Sequence, residues 1–288
     1  MSNFIRLHQK HFNFKKFVVR ALAEDIGDGD HTTLATIPAA AKNTMKLLVK
    51  EDGIIAGVEA AEKIFFVLDK SMVVKKYIKD GSAVKKGDVV FKVSGKTRSL
   101  LTAERLVLNV MQRMSGIATK ANYLQSLCKG TEATVIDTRK TTPGFRFFEK
   151  WAVCIGGGAN HRYGLWDMIL IKDNHIDFCG GNKQALTSVK KYLRHHKKKL
   201  KIEIETRTVA NVKAVLALGG VHRIMLDNFS ITDTKKAIRL INGVVETESS
   251  GGITEKNINA YARCGVNYIS VGALTHHVKS LDLSLKAV

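Results

Sequence analysis

The sequence predicts an α/β protein in two parts, a mixed α+β layer followed by a parallel sheet of βα units. Three observations carry this. The chain has 288 residues, which suits two modest domains, or one barrel with an extension, better than one small domain. Over the first third, helical and extended patterns mix without strict alternation. From about residue 130, short apolar runs alternate with helical segments, the rhythm of parallel βα units.

Taken in order, Phe14, Phe17, Val18 and Leu22 recur at helical spacing, and the pattern stops before Gly27. Residues 45–50 read as a strand and 58–68 as a helix. Extended pieces follow at 73–78 and 88–93, punctuated by the turn signals Asp80-Gly81 and Lys86-Gly87. A long helical stretch covers 102 to about 127, with a break expected at Ser115-Gly116. The later strands are expected at 133–136, 168–171, 202–204, 224–226, 244–245 and 268–271, with helices at 209–218 and 231–241 among the gaps.

Periodicity does not separate an open sheet from a closed barrel; the polar residues do. The first of these strands runs into Asp137-Thr138-Arg139-Lys140, and the second into Lys172-Asp173-Asn174-His175. The next two end at Glu205 and Asp227, the fifth runs through Glu246 and Glu248 to Ser250-Gly251-Gly252, and the last ends at Gly272. In a parallel α/β barrel such ends converge on one face, where active sites lie. Six polar ends in succession point to one shared site.

The last two ends are glycine turns. Ser250-Gly251-Gly252 is expected to open a helix, and Val271-Gly272-Ala273 follows the final strand. Glycine lets the backbone approach an anion, and barrels often hold phosphate in the loops after their last strands. The pair therefore suggests a sugar-phosphate ligand. Arg139, Lys140 and Lys172 at strand ends, with His161-Arg162 just ahead of a strand, call for a ligand with several negative groups. Glu205 and Asp227 close two consecutive strands. They fit either Mg²⁺ held partly through substrate phosphates or plain ion pairs with the surrounding cations.

Composition narrows the classes. The chain is 45% hydrophobic and 25% charged, enough apolar residues for a core. No apolar run approaches the ~20 residues that span a bilayer, so no membrane association is expected. The first seventeen residues are basic but have no apolar core of a signal peptide. The four cysteines form no CxxC pair and read as reduced thiols, which together place the protein in the cytoplasm. A formal charge of +20 raises nucleic acid binding as an alternative. Much of it lies in runs such as residues 190–199, which read as the solvated end of a helix, and no nucleic-acid signature accompanies them. An anionic small substrate drawn in by the field explains the remainder.

Several segments carry a family resemblance. The stretches 137–146 (DTRKTTPGFR), 156–162 (GGGANHR) and 170–175 (LIKDNH) resemble quinolinate phosphoribosyltransferases, as do 24–30 (EDIGDGD), 102–105 (TAER), 115–119 (SGIAT) and 271–276 (VGALTH). They run from about residue 24 to 276. The resemblance implies an N-terminal α/β sandwich domain (1–117) and an incomplete parallel α/β barrel (118–276), with the tail 277–288 packing against the first. It implies a homodimer or larger homo-oligomer with a shared active site. It also implies a reaction: quinolinate and phosphoribosyl pyrophosphate give nicotinate mononucleotide, CO₂ and pyrophosphate, with Mg²⁺. The family's binding positions map to Arg105, Arg139, Lys140, His161, Arg162, Lys172, Glu205, Asp227, Ser250, Gly251, Gly272 and His276. Among these Lys140, Glu205 and Asp227 are the candidate catalytic residues, the two carboxylates doubling as metal ligands. Arg105 is implied to reach a neighbouring subunit's site. A phosphoribosyltransferase for another aromatic acid is the in-class alternative. The sequence departs from the family at Trp151, where tyrosine is commoner, and in a 205–227 stretch one residue longer than usual, which leaves Glu203 as the alternative to Glu205.

Overall fold

The computed structural model describes residues 10–288, which divide into two compact units. The first comprises residues up to 122 together with 141–157 and 275–288; the second comprises 123–140 and 158–274.

In the first unit, α1 (Phe14–Ile26) starts on an Asn13 side chain that accepts the Lys16 N–H, and it ends at Gly27 with φ +55°. The short α2 (His31–Thr36) is capped in the same way by Asp30. Strand β1 (Lys42–Val49) alternates so that Met45, Leu47 and Val49 are buried. The short β2 (Gly53–Ile54) precedes α3 (Val58–Leu68). Then come β3 (Val73–Lys76), β4 (Ala83–Val84) and β5 (Val89–Lys96). The C-terminal stretch adds β12 (Leu283–Ala287), which pairs antiparallel with β1 and gives a four-stranded sheet of order β12-β1-β5-β3.

Helix α4 (Thr97–Leu127) runs unbroken through Ser115-Gly116, where a break was expected. Gly116 serves close approach instead: a Cβ there would collide with the Lys279 carbonyl oxygen. Ser115 Oγ accepts the Ala56 N–H at 2.9 Å and Thr119 Oγ1 accepts the Ile54 N–H at 2.9 Å, so the two hydroxyls fasten the end of β2 and the residues after it to the helix. Residues 141–157, assigned from sequence to the barrel, cluster with the first unit. They contain α5 (Arg146–Ile155), and its aromatic side explains the placement. Phe147 stacks on Phe12 with centroids 4.2 Å apart, and Phe148 lies 4.7 Å from Phe17.

The second unit is built on six parallel strands: β6 (Thr134–Ile136), β7 (Ile169–Ile171), β8 (Ile202–Thr206), β9 (Arg223–Asp227), β10 (Glu246–Ser250) and β11 (Tyr268–Ser270). Their order is β6-β11-β10-β9-β8-β7. Every pair a cyclic barrel needs is present except β6 with β7, so this is a barrel with one gap. At the gap, the free side of β6 is bridged in parallel by Ala159 opposite Ile136. The connecting helices are α6 (Asp173–Cys179), α7 (Asn182–His195), α8 (Val209–Leu218), α9 (Ile231–Ile241), α10 (Ile258–Ala262) and α11 (Ala273–His276). Ile204, Ile224, Val212, Val215 and Ala237 form the core between strands and helices.

Two expectations need correction here. The fifth barrel strand is not 244–245: Val244 is 75% exposed beside a positive-φ Gly243, and the strand is the polar run 246–250. Its Thr247, Glu248 and Ser249 are buried because they point into a polar layer of the barrel or between strand and helix. Nor does Ser250-Gly251-Gly252 open a helix directly, since α10 begins only at Ile258. Gly251 and Gly252 take φ +87° and +61°, and Asn257 closes the turn by donating its side-chain N–H to the Gly252 carbonyl.

Candidate active site

The site residues of the second unit follow from where its strands end. β6 delivers Asp137, which is buried and turned inward: it accepts the His161 N–H at 3.0 Å and the Asn160 side-chain N–H at 2.6 Å. Asp137 thus anchors the 158–162 segment at the barrel gap, while Arg139 and Lys140, just beyond it, are exposed.

Arg162 is partly buried, with its guanidinium donating to the Met168 carbonyl at 3.2 Å. Burial, and next the positive charge of Arg139, lower its pKa from the ordinary arginine value. Asp167 and Glu203 oppose that shift, and a partly buried guanidinium in this setting suits an anionic ligand.

β7 delivers Lys172, the N-cap of α6, whose backbone N–H donates to His175 Nδ1 at 3.0 Å. Its Nζ lies 3.7 Å from Glu205 Oε2. Glu205 is 6% exposed near the end of β8, and Asp227 closes β9 next to it. Burial first, and then the charge of Asp227, push the Glu205 carboxyl upward, with Lys172 opposing. Two carboxylates at the ends of adjacent strands, one of them beside Lys172, fit a hard cation with oxygen ligands. The register sets Ser250 opposite Asp227, and the Asn228 N–H donates to the Ser250 carbonyl at 2.8 Å. Gly251 is packed against the Asn228 side chain, leaving no room for a Cβ, whereas a Cβ at Gly252 would meet nothing within 4 Å, so the open backbone of this turn is at Gly252. Gly272 follows β11.

His161 takes a different place from the carboxylate-gripping one expected for it. Its ring points into the barrel, where Nε2 lies 3.0 Å from Glu203 Oε2 and 3.5 Å from Glu248 Oε2, and Nδ1 accepts the Arg162 N–H at 2.6 Å. With Nδ1 accepting, the ring proton of a neutral His161 sits on Nε2, facing the two carboxylates. Arg223 completes the layer, 3.0 Å from Glu248 and stacked 3.8 Å over the Tyr268 ring. Glu203 and Glu248 are fully buried. Burial and the neighbouring Glu203 charge push the Glu248 carboxyl up to about 7, and burial raises Glu203 as well.

Sequence reasoning passed over Arg223, met Glu248 only as part of a polar strand end, and held Glu203 only as the alternative to Glu205. The usable signal was the E-x-E spacing on β8 and β10, which puts alternate acids on one face of a strand. The remaining two predicted residues lie in the first unit: Arg105 is an exposed residue of α4, and His276 is exposed at the end of α11, with Nδ1 2.7 Å from that of His277.

Known proteins resemble this chain along most of its length. The family profile described as quinolinate phosphoribosyl transferase, N-terminal domain, matches residues 30–115, and the corresponding C-terminal domain profile matches 117–286. A Nicotiana tabacum protein named quinolinate phosphoribosyltransferase [decarboxylating] 1b is 47% identical, over 96% of this chain and 82% of its own. A Bacillus subtilis protein named probable nicotinate-nucleotide pyrophosphorylase [carboxylating] is 39% identical over 96% of this chain and 93% of its own. The crystal structure of NadC from Streptococcus pyogenes superposes with a TM-score of 0.90 at 36% identity, covering 96% of this chain and 97% of that one.

Proposed function

The chain belongs to the quinolinate phosphoribosyltransferase family, and from that premise we propose that it transfers the phosphoribosyl group of phosphoribosyl pyrophosphate to quinolinate, releasing pyrophosphate and CO₂ and leaving nicotinate mononucleotide for NAD biosynthesis. The observation that carries the reading is the set of cations and carboxylates at the ends of the parallel strands, with Arg139 and Lys140 just beyond β6, Lys172 directly after β7, Glu205 near the end of β8 and Asp227 closing β9, a lining suited to a dicarboxylic acid and a phosphorylated donor.

The chemistry asks three things of these residues. The pyridine nitrogen must be held in line with C1 of the ribose, an entropic task for Arg139 and Arg162 gripping the two carboxylates. The departing pyrophosphate must be neutralised, which calls for cations such as Lys172 near the leaving oxygen, while the open backbone at Gly252 suits the 5′-phosphate that stays on the ribose. Finally, the carboxylate beside the nitrogen leaves as CO₂ once the nitrogen is quaternary, since the ring then accepts the electron pair. Lys140, exposed beyond β6, would stabilise the resulting carbanion, which takes up a proton at that carbon to give nicotinate mononucleotide. The buried Asp137, Glu203 and Glu248 do not touch substrate in this scheme; they hold the Asn160-His161-Arg162 segment in place.

Glu205 and Asp227 would hold Mg²⁺, which when bound would offset charge building on the leaving pyrophosphate. Oligomerisation is part of the proposal: Arg105, exposed on α4, would complete the acid-binding lining of a neighbouring subunit. A reducing, cytoplasmic setting fits the four free cysteines; no described helix is long and apolar enough to cross a membrane.

The test is turnover of the purified protein with quinolinate, nicotinate or nicotinamide, each supplied with phosphoribosyl pyrophosphate and Mg²⁺. Consumption of quinolinate with CO₂ release is expected. Consumption of nicotinate alone would overturn the substrate assignment.

A further inference from the structure

Away from the residues assigned to substrate, one buried ion pair ties down two of the segments that carry them. Glu149 on α5 is fully buried, and its partner is Arg113 on α4. The Arg113 Nε and one terminal nitrogen both donate to Glu149 Oε1, at 2.8 and 2.6 Å. That terminal nitrogen also donates to Thr142 Oγ1 at 2.9 Å and to the Thr275 carbonyl at 3.1 Å. The second carboxylate oxygen, Glu149 Oε2, accepts the Thr142 N–H at 3.0 Å. One guanidinium and one carboxylate therefore fix three pieces of chain: the middle of α4, the turn two residues after Lys140, and the carbonyl one residue before His276.

We propose that Arg113 and Glu149 are positioning residues, setting the placement of Lys140 through Thr142 and of His276 through Thr275. The inference rests on the proposed function, because it takes Lys140 and His276 to handle substrate. The physical case is the cost of the arrangement. A carboxylate with no exposed surface needs a charged partner, and an apolar pair would hold α4 to α5 as well. An arginine, by contrast, holds its N–H groups in fixed directions, and here Nε and one terminal nitrogen reach the carboxylate, a hydroxyl and a carbonyl; a lysine ammonium has no such fixed fork. The hydrogen bonds end on the backbone and side chain of the turn after Lys140 rather than on α4's own neighbours, which is what positioning requires. Arg146 adds a second tie to the same turn, donating from Nε to Thr141 Oγ1 at 2.8 Å.

The test uses the full chain and three variants. Glu149→Gln preserves shape but sets an amide NH₂ against the Thr142 N–H, donor against donor. Arg113→Lys keeps the charge and loses the fork. Thr142→Val removes a single hydroxyl acceptor and leaves the buried pair, so it reads the effect even where the other two fail to fold. Expected for Glu149→Gln and Arg113→Lys are a turnover per folded molecule reduced roughly 10- to 100-fold and a raised KM for both substrates, because two segments shift together. Thr142→Val should move the same way by a smaller factor. Hydrogen exchange should quicken at residues 138–144 and 275–278 while the centre of α4 keeps its protection. Unchanged exchange at both segments in Thr142→Val, or activity that falls only with the folded fraction, overturns the inference. A wild-type protein that ignores quinolinate overturns the function instead, and the exchange result still decides the positioning.

Discussion

Glu248 is the side chain whose ionisation folding disturbs most legibly. It is buried beside Glu203, His161 and Arg223, and burial with the Glu203 charge lifts its carboxyl from an ordinary 4.5 to about 7. A carboxyl raised on folding binds its proton more tightly in the native state. The stability it supplies is fully present below about 4.5, declines as pH rises toward about 7, and is gone above that. Glu248→Gln cannot titrate, so its stability should lack this decline, whose slope is at most about 1.4 kcal/mol per pH unit for one proton. Denaturant unfolding of both proteins across that range measures the difference; equal slopes would assign the titration elsewhere. Residue identity was legible here and orientation was not. His161 stood in a recognisable GGGANHR stretch, but nothing in that stretch says its ring turns inward to two acids from other strands.

β8 and β9 are neighbours in the sheet, with Glu205 opposite Met225 and Asp227 two residues further along, so the Asp227 charge falls within reach of the Glu205 carboxyl. If they hold Mg²⁺, Glu205→Gln and Asp227→Asn should each lower turnover and raise the Mg²⁺ needed for half-maximal rate roughly tenfold or more, since even outer ligand-shell changes cost 10- to 100-fold in affinity. A Mg²⁺ titration of the rate in both variants checks it; an unaltered requirement would leave Glu205 as the ion-pair partner of Lys172, 3.7 Å away. Element reading from sequence went furthest for apolar strands. β6 to β9 were found because their interiors are apolar runs, whereas β10 (Glu246–Ser250) was displaced to 244–245 because its buried residues are polar. Gly116 misled in the same manner: a glycine within a helical pattern reads as a break until the Lys279 carbonyl packed against it explains the missing side chain.

At the level of the whole molecule the open question is how many chains make a site. Arg105 projects from α4 of the first unit, exposed, whereas Lys172 stands at a barrel strand end of the second. If Arg105 serves a neighbouring subunit, Arg105→Ala and Lys172→Ala should each be nearly inactive alone. Mixed under conditions that allow subunit exchange, they should regain activity, because a heterodimer holds one intact site and one doubly impaired site. At equal mixing about half the dimers are heterodimers, so recovery should approach roughly one quarter of wild-type sites. Mass spectrometry would establish that heterodimers form; no recovery in their presence would place Arg105 outside a shared site.

By itself the sequence determined the family and the ends of most parallel strands. Segments such as 137–146, 156–162 and 170–175 are contiguous motifs, and Arg139, Lys172, Glu205 and Asp227 directly follow or close apolar runs, so both signals are local in the chain. Only the tertiary structure decided what supports that face. It set the inward ring of His161 between Glu203 and Glu248, the assignment of residues 141–157 to the first unit through the Phe12–Phe147 stack, and the Arg113–Glu149 pair reaching Thr142 and Thr275. Each of these joins residues far apart in the chain, and the pairing energy of buried charges and rings depends on distances and desolvation that no local spacing encodes.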